Sequence, residues 1–402
     1  MSKKVNLSTI QAAAETIKGT VRRTPIVDCP ALADTMGGEV FLKLENLQKT
    51  GSFKIRGAIN KIASLTEEEK AKGVIAASAG NHAQGVALGA RANGIKATIA
   101  MPATAPMAKV SATRGYGAEV VLSGAVYDDA YAKAVEVQKE TGATFLHPFD
   151  DAFVISGQGT IGLEILEDLA DVDVIVTPIG GGGIAAGIAT AVKALKPSVK
   201  VIGVQTSNVP SMPAALKAGE SVVVDATPTI ADGIAVRKAG TLTFELVKEF
   251  VDEVVTVSED EIATSILYMM EKNKIVAEGA GATAFAAILA GKIDTKGKKV
   301  CAVVSGGNVD VNLVDRIINR ALIVAGRRFE FTTIVADRAG EIQKILAVVS
   351  EGKANVLSIC SSRYESCLGI NTQELSLVLE CLDMDHKIEL TKKLEDAGYK
   401  MN

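Results

Sequence analysis

Short runs rich in β-branched and apolar residues recur along the chain, and most are apolar at every position rather than at alternate ones. They read "EVFLKLE", "GVIAAS", "KATIAMP", "AEVVLSG", "DVIVTPI", "KVIGVQT", "EVVTVS" and "VCAVVSGG". Strands of this kind are buried on both faces, and alternating them with helices predicts parallel sheets covered by helices. The intervening stretches supply the helices: "NHAQGVALGARANG" and "YDDAYAKAVEVQKETG" place small or apolar residues at helical spacing and end on glycine. The runs cluster around residues 70–125 and again around 170–305, which predicts two α/β lobes with a cleft between them as the natural ligand site. After "RALIVAGRRF" the pattern changes to strand ("EFTTIVA"), helix ("AGEIQKILAVVSEG"), strand ("NVLSICSSR"), strand ("TQELSLVLEC") and helix ("DHKIELTKKLEDAG"), with "YKMN" as a last strand. That order is the ferredoxin-like βαββαβ unit. The expected boundary lies near Gly326, with a first domain over 1–326 and a small one over 327–402.

At 402 residues and 48% hydrophobic, the chain is long enough for two or three cores. A net charge of -4, from 43 basic and 47 acidic side chains, argues against a nucleic-acid surface and against a polybasic membrane patch. The uncharged stretch 174–192, "VIVTPIGGGGIAAGIATAV", has nearly the length of a membrane span, but a proline and four successive glycines fit strand, loop and buried helix instead. No membrane is expected. The five cysteines (Cys29, Cys301, Cys360, Cys367 and Cys381) are scattered and lack CxxC spacing, and the first residues lack the apolar core of a signal peptide. A reducing cytoplasm is the expected setting.

Candidate chemistry begins at "TGSFKIRGA", which sets Lys54 beside Phe53 at the start of a helix. Gly180, Gly181, Gly182 and Gly183 follow a buried strand and open a small-residue helix. A tight turn needs one or two glycines, so four point to backbone N–H groups crowding an anion, a phosphate being the expected guest. No acidic residue ends a following strand at the distance a dinucleotide site requires, and no lysine and hydroxyl follow the glycines as in a P-loop. "ASAGNHAQG" carries Ser78, Gly80, Asn81 and His82 at another strand-to-helix turn suited to a carboxylate or a ring oxygen, although capping alone would explain Ser78 or Asn81. "VVSGGNVD" ends a strand on Ser305. The three histidines, His82, His147 and His386, show no zinc spacing, and no metal is expected. An amine, a phosphate cradle and strand-end polar groups suit pyridoxal phosphate. A nicotinamide-nucleotide oxidoreductase and a non-catalytic amino-acid sensor stand as alternatives.

"GSFKIRGA", "SAGNHAQG", "GGGGI" and "SGGNVD", in this order, resemble the motifs of the pyridoxal-phosphate-dependent serine/threonine dehydratases of the tryptophan-synthase-β fold. The likeness covers residues 5 to about 325. It implies PLP fold type II, with a smaller lobe over about 51–145 inserted in the larger. The tail is similar to an ACT regulatory domain, with Ala339 in "DRAGE" where that family often has proline. By resemblance, Lys54 is the Schiff-base lysine, Phe53 packs beside the cofactor ring, and Asn81 bonds the ring hydroxyl. Gly180, Gly181, Gly182, Gly183 and the N–H of Ile184 hold the phosphate, and Ser305 meets the pyridine nitrogen. Ser78, Gly80 and His82 belong to the loop that takes the substrate carboxylate. Glu278 matches an acidic position near the ring and receives no role.

The resemblance further implies β-elimination: L-threonine to 2-oxobutanoate and ammonia, and L-serine to pyruvate. Lys54 then serves as cofactor anchor and as base for the α-proton, and a hydroxyl at Ser305 makes the ring a weaker electron sink, favouring prompt loss of the β-hydroxyl. The sequence leaves the proton donor to the leaving oxygen unassigned, and threonine over serine rests on overall likeness. Serine racemases share these motifs but place a second serine where this chain has Ala79, so racemisation is expected to be minor. An ACT tail implies an isoleucine or valine effector near Asp337 to Gly340, as in allosteric control of isoleucine biosynthesis, and a homo-oligomer, dimer or tetramer. "TPTIADG" resembles a stretch near a cation site in relatives; Asp232 is its only acid, and no metal is assigned.

Overall fold

The structure is a computed structural model in which residues 4–363 and 368–401 are described; Cys367 falls outside them. The chain divides into two compact units, 1–309 and 310–402.

The first unit contains two sheets. β1 (Ile26–Asp28), β2 (Glu39–Leu44), β7 (Val174–Pro178), β8 (Lys200–Thr206), β9 (Glu253–Val257) and β10 (Lys299–Val304) form a six-stranded sheet in the order β1-β2-β10-β7-β8-β9. Only β1 is antiparallel to its neighbour. β3 (Val74–Ala77), β4 (Ala97–Met101), β5 (Glu119–Leu122) and β6 (Thr144–Phe145) form an all-parallel sheet in the order β5-β4-β3-β6. β3, β4 and β7 are buried at every position, as continuous apolar runs require. β2 pairs with β1 on one side and on the other with β10, more than 250 residues away, and the strands of the smaller sheet fall in sequence between β2 and β7 of the larger one.

Close helix contacts fix the middle of this unit. The Lys54–Ala63 helix lies on Ala152–Asp168, where a Cβ on Gly157 would sit 2.6 Å from the Gly57 Cα. Ala152–Asp168 in turn meets Gly183–Leu195, where a Cβ on Gly187 would stand 2.6 Å from the Gly159 nitrogen. Beside these helices lies a buried ionic cluster. Arg56, fully buried, donates from Nε and Nη2 to Glu45 at 2.8 Å each, and from Nη1 and Nη2 to Glu164 at 2.6 and 2.8 Å. Lys43 Nζ reaches Glu164 at 2.6 Å and the Thr24 carbonyl at 2.7 Å. Two cations and two carboxylates thus satisfy one another, the condition under which buried charge is tolerated.

The second unit contains the helix Val311–Val324 followed by β11 (Arg328–Ala336), the helix Glu341–Glu351, β12 (Asn355–Ser362), β13 (Thr372–Glu380) and the helix Met384–Asp396. The sheet is antiparallel in the order β11-β13-β12, and Phe331, Val335, Leu375, Leu377 and Leu379 alternate onto the face that packs with Ile345 and Leu390. The expected last strand does not form over 399–401. Tyr399 and Met401 pack against the core instead. Cys29, Cys301 and Cys381 are buried and Cys360 is exposed, all as free thiols.

Candidate active site

Lys54 opens its helix from a loop stitched to the end of β10: Ser52 bridges Gly306, and the Phe53 N–H donates to the Ser305 carbonyl at 3.1 Å. Gly51, at φ +70°, makes the turn that brings the chain there. The Lys54 Nζ donates to the Pro148 carbonyl at 2.9 Å and stands 5.2 Å from the centre of the Phe53 ring. No carboxylate among the described residues pairs with it. Burial lowers its pKa from 10.5 to about 8, against the opposing pull of Glu278. Both Phe53 and Lys54 line a cavity of about 800 Å³.

All four residues of the glycine run, with Ile184, line the same cavity. A Cβ on Gly181 would fall 2.4 Å from the Phe149 ring, one on Gly183 would lie 3.0 Å from the Phe149 carbonyl, and Gly182 has φ +102°. The run therefore follows a path that side chains would block. Gly182 caps the Gly183–Leu195 helix without a side-chain bond, so the first-turn N–H groups face the cavity side with no intrahelical acceptor. Thr243 Oγ1 donates to the Gly181 carbonyl at 2.6 Å, and Asp150 caps the Thr241–Phe250 helix through the N–H groups of Thr241 and Thr243.

Opposite, Asn81 begins its helix after β3 and lies in a chain of side chains drawn from three parts of the sequence. Its Nδ2 donates to Glu278 at 2.6 Å, and its Oδ1 accepts from Asn308 Nδ2 at 2.7 Å; Asn308 Nδ2 also donates to the Thr50 carbonyl at 2.7 Å. Glu278 is 5% exposed, and burial, reinforced by the charge of Asp232, raises its pKa from 4.5 to about 7. Ser305 is buried, and its hydroxyl makes only a 3.4 Å contact with the Ala280 carbonyl, which leaves it available to a ligand.

Ser78, Ala79, Gly80 and His82 line the cavity at the start of the Asn81–Ala92 helix. Ser78 Oγ accepts from the Gly80 N–H at 3.2 Å. His82 is buried, with Nε2 2.9 Å from the Leu146 carbonyl, and burial holds its pKa down near 3, so the ring is neutral and its polar edge is engaged by the protein. Residues given no part in the site by the sequence also line the cavity: His147, Pro148 and Phe149 after β6, Gln158, and Lys109, which pairs at 2.9 Å with Asp232 of "TPTIADG". Asp232 is thus engaged by a cation, and among the described residues no cluster of three or more metal-ligating side chains occurs. The signals were faint: "LHPFDD" follows a two-residue strand, and Glu278, Asn81 and Asn308 meet only through the fold.

These groups fit pyridoxal phosphate. The anion cradle admits no Cβ at Gly181, an amine of lowered pKa lines the same space, and the buried Ser305 hydroxyl, held by a long 3.4 Å bond to the Ala280 carbonyl, keeps its lone pairs for a ring nitrogen's proton. In the second unit, Gly340, at φ +92°, caps the Glu341–Glu351 helix. Asp337 accepts from Arg363 Nε at 3.0 Å, and Glu341 pairs with Arg338 and Lys344.

Comparison with known proteins agrees with this geometry. Residues 17–306 match the family described as pyridoxal-phosphate dependent enzyme. The chain is 53% identical, over 99% of both chains, to L-threonine ammonia-lyase of Thermotoga maritima. Among solved structures, the processed form of threonine deaminase isoform 2 from Solanum lycopersicum superposes with a TM-score of 0.75 at 37% identity, covering 79% of this chain and 87% of that one. Maize serine racemase superposes equally well, at a TM-score of 0.75 and 35% identity over 80% of this chain and 98% of that one.

Proposed function

Because the chain belongs to the family of pyridoxal-phosphate-dependent enzymes, we propose that it is a carbon–nitrogen lyase that converts L-threonine to 2-oxobutanoate and ammonia, and L-serine to pyruvate and ammonia. The observation that carries this reading is the amine of Lys54, lowered to about 8 and set in one cavity with the glycine cradle. Pyridoxal phosphate, when bound, supplies an aldehyde for the substrate amine and a ring that takes up electron density as the Cα–H bond breaks. The N–H groups of Gly180, Gly181, Gly182, Gly183 and Ile184 would hold its phosphate, Phe53 would pack beside the ring, Asn81 would bond the ring hydroxyl, and Ser305 would supply a hydroxyl to the ring nitrogen.

Lys54 would anchor the cofactor, and its Nζ would take the α-proton, a role suited to an amine whose pKa lies near the working pH. Ser78, Gly80 and the first N–H groups of the Asn81–Ala92 helix receive the substrate carboxylate, backed by His82. Ser305 is a neutral hydroxyl and would not hold a proton on the ring nitrogen, which would favour prompt loss of the β-hydroxyl. Once released, the unsaturated amine tautomerises and is hydrolysed by water to the 2-oxoacid. Racemisation would need a proton donor at Ala79, and a methyl group has none.

The second unit, over 310–402 and including the ACT-like stretch 327–402, is read as the receiver of an isoleucine or valine effector, within a homo-oligomer working in the cytoplasm. No described helix is long and apolar enough to cross a membrane. The test is incubation with pyridoxal phosphate and L-threonine, following 2-oxoacid and ammonia. A colourless protein, or a Lys54→Ala variant that still forms 2-oxobutanoate, overturns the reading.

A further inference from the structure

His147 stands between the two working groups of the cavity. The residue before it, Leu146, gives its carbonyl to His82 at the carboxylate-binding turn; the residue after it, Pro148, gives its carbonyl to the reactive amine of Lys54. The ring of His147 is fixed from three sides. Its Nδ1 accepts from the Asp150 N–H at 2.8 Å and the Phe149 N–H at 3.4 Å, and the Phe149 ring meets it edge-on with centroids 4.7 Å apart.

An acceptor at Nδ1 puts the proton of the neutral ring on Nε2. Burial and the nearby Lys54 hold the pKa below the ordinary 6.5, against the pull of Asp150 and Asp151, so the ring is uncharged at neutral pH. With Nδ1 taken up by its own backbone, Nε2–H is the hydrogen-bonding group the ring has left, and His147 lines the cavity. None of the hydrogen bonds among the described residues uses that N–H.

We infer that His147 Nε2–H donates a hydrogen bond to the β-hydroxyl oxygen of the substrate and selects for amino acids that carry one. The inference rests on the lyase reading above. An uncharged donor matches an uncharged oxygen, whereas the carboxylate already has the helix N-terminus at Asn81. His147 keeps its proton throughout: it orients the leaving oxygen and acts as a binding group, not as an acid. A site built to hydrogen-bond a substrate hydroxyl discriminates against the analogue that lacks it, because its own donor is then left unpaired.

The test compares L-threonine with L-2-aminobutyrate, the same skeleton without the hydroxyl, on the cofactor-loaded full chain. His147→Phe is expected to lower kcat/KM for L-threonine about tenfold or more, while the Kd for L-2-aminobutyrate, read from the cofactor's visible absorption, stays within about twofold. His147→Gln, which keeps an N–H donor, is expected to recover part of the loss, and carries the comparison by itself against wild type if His147→Phe does not fold. Equal losses for both ligands, or no loss for L-threonine, overturn the inference. A wild-type chain that forms no 2-oxoacid from L-threonine would instead overturn the lyase reading beneath it.

Discussion

An amine reacts with an aldehyde only in its neutral form, so the reactivity of Lys54 follows from its surroundings: burial disfavours the charge and no carboxylate among the described residues pairs with the nitrogen to restore it. In cofactor-free protein, the rate at which added pyridoxal phosphate develops its visible band is therefore expected to rise with pH and to level off above about 8. Glu278 gives a second expectation, on stability. The folded chain holds that proton more tightly than the unfolded one, so stability from this group is undiminished below pH 4.5 and falls as pH rises through the window from 4.5 to about 7. Glu278→Gln removes the penalty while keeping an acceptor for Asn81. Cofactor-free Glu278→Gln should be more stable than wild type at pH 8, by at most about 3 kcal/mol, and equal to it near pH 4 in thermal melts.

The cradle and the ionic cluster are properties of elements rather than of single residues. Gly182→Ala forces a left-handed backbone onto a residue with a Cβ and should cost about 1–2 kcal/mol, with a weaker grip on pyridoxal phosphate measurable by titration. Arg56→Met strands the Glu45 carboxylate in the interior and leaves Glu164 with Lys43 alone, and a loss of about 3–5 kcal/mol is expected from denaturant unfolding. The continuous apolar strands and the glycine-ended helices were legible in the sequence because burial on both faces leaves a plain compositional trace. β1 and β6, at three and two residues, were not, since runs that short have no period. The expectation of a strand at "YKMN" failed for a related reason: propensity alone cannot supply the partner a ladder needs. Within the site, the motif residues Lys54, Asn81, Ser305 and the glycines line one cavity, whereas Gln158 and the Lys109–Asp232 pair, which line it too, follow from packing that no local pattern reports.

At the scale of the whole molecule, the separate antiparallel unit is where the proposed response to an amino acid is placed. If it receives an amino acid, L-threonine turnover by the full chain should respond to millimolar isoleucine or valine, and Asp337→Ala should blunt that response while leaving turnover without effector unchanged. Steady-state rates with and without each amino acid decide the point. The three helices that touch backbone to backbone at Gly57, Gly157, Gly159 and Gly187 bear on how such an enzyme diversifies. No atom can be added along that seam without prising the layers apart, so the floor under the lysine is closed to mutation. The rim at Val126, Tyr127 and Tyr131, by contrast, is exposed, and solvent there leaves room for change.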